Sequence, residues 1–133
     1  MLRVVAMLLF GLMFLAQVGD LYGLYLTLAD PVPAADRFGI SAEAELLRSA
    51  VLLILALVVC LGALLALVGL LLRRTALFQK SALACALGYG VYGLYQVADG
   101  ALQVGSAIVI LAGLIYLVLG GIAYAMYRSV FEI

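Results

Sequence analysis

The chain has 133 residues, of which 69% are hydrophobic and 11% are charged. Soluble domains are about 45–50% apolar and about 25% charged. Seven basic residues balance seven acidic ones, so the formal net charge is zero and no basic surface is present for nucleic acid. These values exclude a soluble globular domain, a disordered tail and a nucleic-acid-binding protein, which leaves an integral membrane protein.

Four long stretches carry no charged residue, namely 4–19, 49–72, 81–98 and 100–127, and the first continues as an apolar run past Asp20 to Ala29. A helix needs about 20 residues to cross the hydrocarbon core of a bilayer. The sequence therefore predicts an all-α membrane protein, a four-transmembrane-helix bundle built from two helical hairpins. The predicted spans are 4–28, 44–72, 76–98 and 102–127, with an outer loop at 29–43, in a single domain covering 1–133.

The first stretch also has features of a secretory leader, because Arg3 precedes an apolar run. The run is longer than the apolar region of a leader, and no A-x-A-like cleavage site precedes Asp20. We therefore expect this stretch to be kept as the first span.

Local signals indicate where the helices begin and end. The segment Asp30-Pro31-Val32-Pro33 cannot continue a helix, so it should end the first span. Ser41 followed by Glu43 and Glu45 is typical of a capped helix N-terminus. Asp99-Gly100 is expected to break the third helix.

Basic residues predict the orientation of the bundle. With four spans, both termini and the connection between the second and third spans lie on one side of the membrane. The positive-inside rule places that side in the cytoplasm, because it carries most of the basic residues. They are Arg3, Arg73, Arg74, Lys80 and Arg128, against Arg37 and Arg48 on the other side. We expect cytoplasmic N and C termini in a bacterial cytoplasmic (inner) membrane.

Asp20 lies inside the first predicted span, where an ionisable group costs about 2.5–3.5 kcal/mol at the membrane centre and less towards the interface. Gln17, Asp20 and Thr27 share one helix face. Three interpretations remain open. The carboxyl group could be a proton or cation site, it could hold helices together through hydrogen bonds, or it could reach the outer headgroups.

The third predicted span has small and polar residues at helical spacing, which indicates a buried seam. They are Ser81, Cys85, Gly88, Tyr92, Gln96 and Asp99. Asp20 lies within about one helical turn of Tyr89 and Tyr92 in depth. We therefore predict an intramembrane hydrogen-bonded cluster of Asp20 with Tyr89 or Tyr92, joined by Gln17 or Gln96.

The other two spans differ in character. The second consists mainly of Leu, Val and Ala, with Gly62, Ala66 and Gly69 as a small ridge, so we expect it to present the surface most exposed to lipid or to a partner. Tyr116 lies near the middle of the fourth span, where its hydroxyl group needs an acceptor inside the bundle.

The residue types present exclude several chemistries. The chain has no His and only two Cys, so haem ligation, iron–sulfur clusters and structural zinc sites are not expected. Cys60 and Cys85 lie at similar depth on neighbouring spans, which allows a thiol–disulfide enzyme as a further alternative, although no C-x-x-C motif supports it. Arg73, Arg74 and Lys80 could bind anionic lipid headgroups, or could simply set the topology.

The sequence favours a small non-catalytic membrane protein that is an accessory, structural or assembly subunit of a larger membrane complex, with no cofactor. Its partners would be the lipid bilayer and other membrane protein subunits, or a second copy of the chain. The alternative is an oligomeric small transporter or channel that uses Asp20 and neighbouring polar groups. A water-filled cavity reaching Asp20 from the outer side would favour transport, whereas a dry seam would favour a structural role.

Overall fold

The computed structural model describes residues 2–102 and 105–128, and the regular structure within these two ranges is entirely helical. The helices there are α1 (Leu2–Ala29), α2 (Val32–Phe38), α3 (Ala42–Leu71), α4 (Thr75–Leu102) and α5 (Ala107–Arg128). The all-helical character predicted from the sequence is therefore confirmed.

Within the described ranges, three helices, α1, α3 and α5, are long and apolar enough to cross a membrane. Helix α4 has 28 residues, as many as α1. At 1.5 Å per residue it is about 42 Å long, and a hydrocarbon core is about 30 Å thick. Its tyrosines, its glycines and Gln96 make it less apolar than the other three.

Helix α2 lies within the segment 29–43, where the sequence predicted a loop. Pro31 and Pro33 stand at its start, where the fixed φ of proline suits the first helical turn. Gly39 ends it with a left-handed φ of 69°, and the Gly39 N–H donates to the Asp36 carbonyl at 3.3 Å. The prolines that end α1 therefore also begin a new helix. As predicted, Ser41 then caps α3, because its Oγ accepts the N–H of Ala44 at 3.1 Å.

A tight turn joins α3 to α4 at the opposite end of the molecule. Arg73 adopts a left-handed φ of 55°, and the N–H of Arg74 donates to the Gly69 carbonyl at 2.8 Å. The Arg3 guanidinium donates to the Leu70 carbonyl at 3.1 and 3.2 Å, which attaches the start of α1 to the end of α3. We call this end of the bundle the turn end, and the end that carries α2 the α2 end.

The four long helices pack in the order α1, α3, α4, α5, with neighbours antiparallel. Gly62 lies against Cys85 and Gly69 lies against Phe78, which sets the antiparallel register of α3 and α4. Helices α1 and α4 therefore run towards the α2 end, and α3 and α5 run away from it. The series closes where Asp20 of α1 contacts Tyr116 of α5.

The expectation that the second span presents the most exposed surface is wrong. Helix α3 lies between α1 and α4 and buries twelve residues, whereas α5 buries four. The small ridge is the cause, because a Cβ at Gly69 would lie only 2.7 Å from the backbone nitrogen of Phe78. Small residues in membrane helices let backbones approach closely, so the ridge marks a packed face of α3.

Asp99-Gly100 does not end α4, which continues to Leu102. A Cβ at Gly100 would lie 2.9 Å from the backbone nitrogen of Ile110, so this glycine allows α5 to cross α4 closely. The N–H of Ser106 donates to the Gly100 carbonyl at 3.0 Å, and α5 begins at Ala107. The extension of α4 carries Asp99 into the bundle, where it is buried.

The crossing of α4 and α5 provides a test of the packing. A Cβ at Gly113 would lie 2.7 Å from the Gly93 carbonyl oxygen, whereas one at Gly121 would meet nothing within 4 Å. We expect Gly113→Ala to lower the free energy of unfolding by about 1–3 kcal/mol, because the helices must separate. Gly121→Ala should change it by less than about 0.5 kcal/mol. Unfolding of the purified protein in mild detergent measures the free energy of unfolding of each variant. Equal losses for Gly113→Ala and Gly121→Ala would contradict the close crossing of α4 and α5.

Candidate functional site

Three charged side chains form a buried network near the α2 end: Glu45 and Arg48 of α3 and Asp99 of α4. Arg48 Nη1 donates to Glu45 Oε1 and Oε2 at 3.2 and 3.3 Å, and Arg48 Nε donates to Asp99 Oδ2. Ser49 Oγ donates to Glu45 Oε1 at 3.0 Å. We call Glu45, Arg48 and Asp99 the buried triad.

Local helix geometry and α2 together build this network. Glu45, Arg48 and Ser49 are spaced i, i+3 and i+4, so they share one face of α3. The ring of Phe38 on α2 lies beneath the Arg48 guanidinium, with the Cζ atom 4.8 Å from the ring centroid. A cation–π contact of this kind satisfies the guanidinium on a side where no carboxylate lies. Helix α2 is therefore part of the site.

The buried triad does not balance its own charge. Two carboxylates share one guanidinium, which leaves one surplus negative charge when all three groups are ionised. An uncompensated charge is costly in a low-dielectric interior, so it favours an additional proton or cation at the site.

A second polar group lies closer to the middle of the bundle and joins three helices. The Tyr116 hydroxyl on α5 donates to Asp20 Oδ2 on α1. The ring of Tyr116 lies 4.4 Å from that of Tyr92 and 5.7 Å from that of Tyr89, measured between centroids. The acceptor that the sequence required for Tyr116 is therefore Asp20.

A cavity of about 410 Å³ connects the buried triad with Asp20, and all five helices contribute to its wall. This volume lies within the usual range for small-molecule sites, about 300–1,000 Å³. Gly23 and Arg37 are exposed and belong to the wall, so the cavity opens to the surface near the α2 end. Leu24 and Leu52 form an apolar part of it. The site therefore offers both charged and apolar surface to a ligand entering from the α2 side.

Within the described residues, three buried side-chain oxygens accept no hydrogen bond. They are Oε1 of Gln17, Oε1 of Gln96 and Oδ1 of Asp99. Gln96 lines the cavity and Asp99 belongs to the buried triad. Buried polar atoms in proteins are rarely left unpaired. The unpaired atoms are all acceptors, so this region is suited to a ligand that donates hydrogen bonds.

The residues predicted to cluster around Asp20 fall into two groups. Gln17 Nε2 donates to Tyr89 Oη at 3.3 Å, and both side chains are buried. Gln96 lines the cavity together with Asp20 and Tyr92. The hydrogen bond that the structure shows for Asp20 is with Tyr116, which the predicted cluster did not include.

The buried triad is the part of the site that sequence reasoning missed. The sequence places Asp99 in the small and polar seam of α4 and also at an expected helix break, whereas for Arg48 it indicates only a charge on the outer side. The available signal was the spacing of Glu45, Arg48 and Ser49, which puts three polar groups on one face of a helix that is otherwise apolar. The third member could not be read from that helix, because Asp99 comes from α4.

Basic residues lie exposed at the turn end, where the sequence predicted a lipid headgroup site. Arg73, Arg74 and Lys80 are all accessible on the surface. They are free of contact with the cavity, which lies at the other end of the bundle. Their contact with headgroups stays a prediction.

The two cysteines are buried free thiols on neighbouring helices. Cys85 lies opposite Gly62, because a Cβ there would be 3.1 Å from the Cys85 backbone nitrogen. The register therefore gives no support to a Cys60–Cys85 redox pair. In residues 2–102 and 105–128, no group of three or more His, Cys, Asp or Glu side chains is arranged to hold a metal ion.

Comparison of the chain with protein-family models, with curated proteins and with solved structures finds no match.

The charge balance of the buried triad can be tested by removing its cation. Arg48→Met leaves two carboxylates together inside the bundle, so we expect it to lower the free energy of unfolding by about 3–5 kcal/mol. Arg37→Met removes an exposed charge of α2 and should cost less than about 0.5 kcal/mol. Adding Glu45→Gln and Asp99→Asn to Arg48→Met should restore part of the loss. If Arg48→Met has the same free energy of unfolding as the unaltered protein, Arg48 does not balance the buried carboxylates of Glu45 and Asp99.

The bond between Asp20 and Tyr116 can be isolated with a double-mutant cycle. Tyr116→Phe and Asp20→Leu each remove one partner, and we expect a coupling free energy of about 0.6–1.7 kcal/mol, as for other hydrogen bonds between membrane helices. Tyr124 is exposed on the same helix, so Tyr124→Phe should show no coupling to Asp20→Leu. Thermal unfolding in detergent supplies the four free energies of each cycle. Zero coupling for Tyr116 would show that α1 and α5 are not joined here.

Proposed function

We propose that this chain is a four-span protein of a bacterial cytoplasmic membrane that binds a small solute in a cavity open to the outer side. The observation that carries this proposal is the cavity itself. It reaches Asp20 from the α2 end and has charged, hydrogen-bonding and apolar walls. A protein serving only to fill space between other subunits would have no use for such a cavity.

The fourth span in this proposal is α4. It is long enough to cross a bilayer, and its neighbours α3 and α5 cover its polar face. Tyr89 and Tyr92 are buried, and so are Ser81 and Cys85. A helix whose polar groups face other helices needs less apolar composition than one that faces lipid on all sides. Packing therefore supports membrane insertion of α4 where its composition alone does not.

The orientation in this proposal rests on the distribution of charge between the two ends. Arg73, Arg74 and Lys80 lie exposed at the turn end, which the positive-inside rule places in the cytoplasm. The α2 end is then outside. The start of α1 and the end of α5 then lie on the cytoplasmic side, because α1 runs towards the α2 end and α5 runs away from it.

The solute would be transported or sensed. Below Gln17 and Tyr89, the bundle is filled by an apolar core that includes Phe10, Phe78 and Ala82. The cavity is thus open towards one side and closed towards the other. In a transporter this is the arrangement of an outward-open state, and the loosely packed α1–α5 seam is the part of the bundle best suited to move.

The accessory-subunit role predicted from the sequence remains the second candidate, and one observation favours it. Gly19 and Gly23 are exposed on α1, and a Cβ at either position would meet nothing within 4 Å. A Gly-x-x-x-Gly spacing on an uncovered face is typical of helices that pack against another membrane helix. In this role a partner or a second copy would cover α1.

Accessibility of the cavity to water tests the proposal. In a Cys60→Ala/Cys85→Ala background, Ala112→Cys places a thiol in the cavity wall. Leu111→Cys places a thiol on the neighbouring, exposed face of α5. We expect a membrane-impermeant maleimide added to intact cells to label Ala112→Cys much faster than Leu111→Cys, because a thiol in lipid does not ionise. Asp36→Cys on α2 should be labelled from the same side.

Each other outcome of this labelling is informative. If maleimide labels Ala112→Cys as slowly as Leu111→Cys, the cavity holds no water, which favours the accessory role. Labelling of Asp36→Cys only in inverted membranes would reverse the orientation.

A further inference from the structure

The charged groups in and next to the cavity wall come from four helices, and three carboxyl groups stand against two guanidinium groups. Glu45 and Arg48 of α3 and Asp20 of α1 lie in its wall, and Asp99 of α4 is bound directly to Arg48. The Arg48 guanidinium already binds both carboxylates of the buried triad. The remaining basic residue, Arg37 of α2, is exposed at the rim, where water solvates its charge. The interior of the cavity therefore favours a cation over an anion or a neutral solute.

The hydrogen-bonding groups indicate what kind of cation fits. Oε1 of Gln96, in the cavity wall, is a buried acceptor without a donor, and Oδ1 of Asp99, next to the wall through its contact with Arg48, is another. An ammonium group carries three N–H donors and no acceptor. It would complete the hydrogen bonding of this region, and its charge would offset the surplus of the buried triad.

The shape of the cavity argues against a bare metal ion as the ligand. A metal ion needs several oxygen or sulfur ligands converging within about 2.0–2.6 Å, and the described residues contain no such acidic, Cys or His cluster. The volume of about 410 Å³ instead has room for an organic group beside the charge. Leu24 and Leu52 give it an apolar wall, and Tyr92 and Tyr116 also line it. Aromatic faces attract organic cations.

We infer that the ligand of this cavity is an organic ammonium compound, with its cationic nitrogen between Asp20 and the buried triad and its apolar part against Leu24 and Leu52. The inference rests on the proposed function, since it names the class of solute that the cavity binds. The Gly19 and Gly23 side of the cavity leaves space for the apolar part to extend between α1 and α5.

Three probes of matched shape separate charge from size: benzylammonium, benzyl alcohol and benzoate. The full chain is purified in mild detergent, and its thermal unfolding and calorimetric binding are measured with each probe. We expect benzylammonium alone to raise the Tm in a saturable manner. Asp20→Asn should weaken its binding by about tenfold or more, because one charged hydrogen bond is lost. Asp36→Asn removes an exposed acidic residue of α2 and should leave binding unchanged.

A second variant keeps the test decisive if Asp20→Asn does not fold. Ala112→Leu fills the cavity without touching any charged group, and it should abolish benzylammonium binding. Binding that survives both Asp20→Asn and Ala112→Leu would lie outside the cavity and would overturn the inference.

The remaining outcomes separate the ligand class from the proposed function. If benzyl alcohol or benzoate binds as tightly as benzylammonium, the ammonium inference fails and solute binding stands. If no probe binds while maleimide labels Ala112→Cys, the ligand class is again wrong and the open cavity stands. If no probe binds and Ala112→Cys is not labelled, the inference and the proposed function both fail.

Discussion

The packing of the bundle near the α2 end depends on Arg48. Glu45 and Asp99 both bind its buried guanidinium, and the Phe38 ring lies against it, so these contacts offset the cost of burying the group. These contacts join α3 to α4 and hold α2 over the end of the bundle. The same contacts leave the site with more negative than positive charge. The interaction that stabilises the helix arrangement is thus also the one on which the proposed preference of the cavity for a cation rests.

The two halves of the bundle are packed in different ways, and the difference creates the cavity. At the turn end, small residues such as Gly62 and Gly69 bring α3 against α4, and aromatic rings such as Phe10 and Phe78 fill the remaining space edge to face. Near the α2 end, a Cβ at Gly19 or Gly23 of α1 would meet nothing within 4 Å, and both glycines line the cavity. Glycine acts as a packing residue in the first case and as a source of space in the second. Polar side chains also line this cavity, where the proposed solute would reach them.

Several features of the site could be predicted from single helices and others could not. Spacing along one helix is enough to predict the seam along α4, the need of Tyr116 for an internal acceptor and the position of Asp20 within an apolar helix. The pairing of Tyr116 with Asp20 does not, because it depends on how α5 is rotated relative to α1. The burial of the small-residue ridge of α3 also depends on the position of another helix. Its glycines indicated a small surface, but only the position of α4 shows that this surface is buried. The prediction that Asp99-Gly100 ends the helix was wrong for a related reason. A glycine that allows a close crossing and a glycine that ends a helix look alike in a sequence.

The sequence by itself predicted helices and four membrane spans, because hydropathy and helix period are sums over neighbouring residues. The structure confirms the helices and, in the residues it describes, shows three that are long and apolar enough to cross a membrane. Only the tertiary structure decided which polar groups meet. A helix turns by about 100° per residue, so a shift of one residue in register would move Asp99 away from Arg48 and Tyr116 away from Asp20. Contacts of that kind depend on the relative rotation and depth of two helices, which no single stretch of sequence encodes.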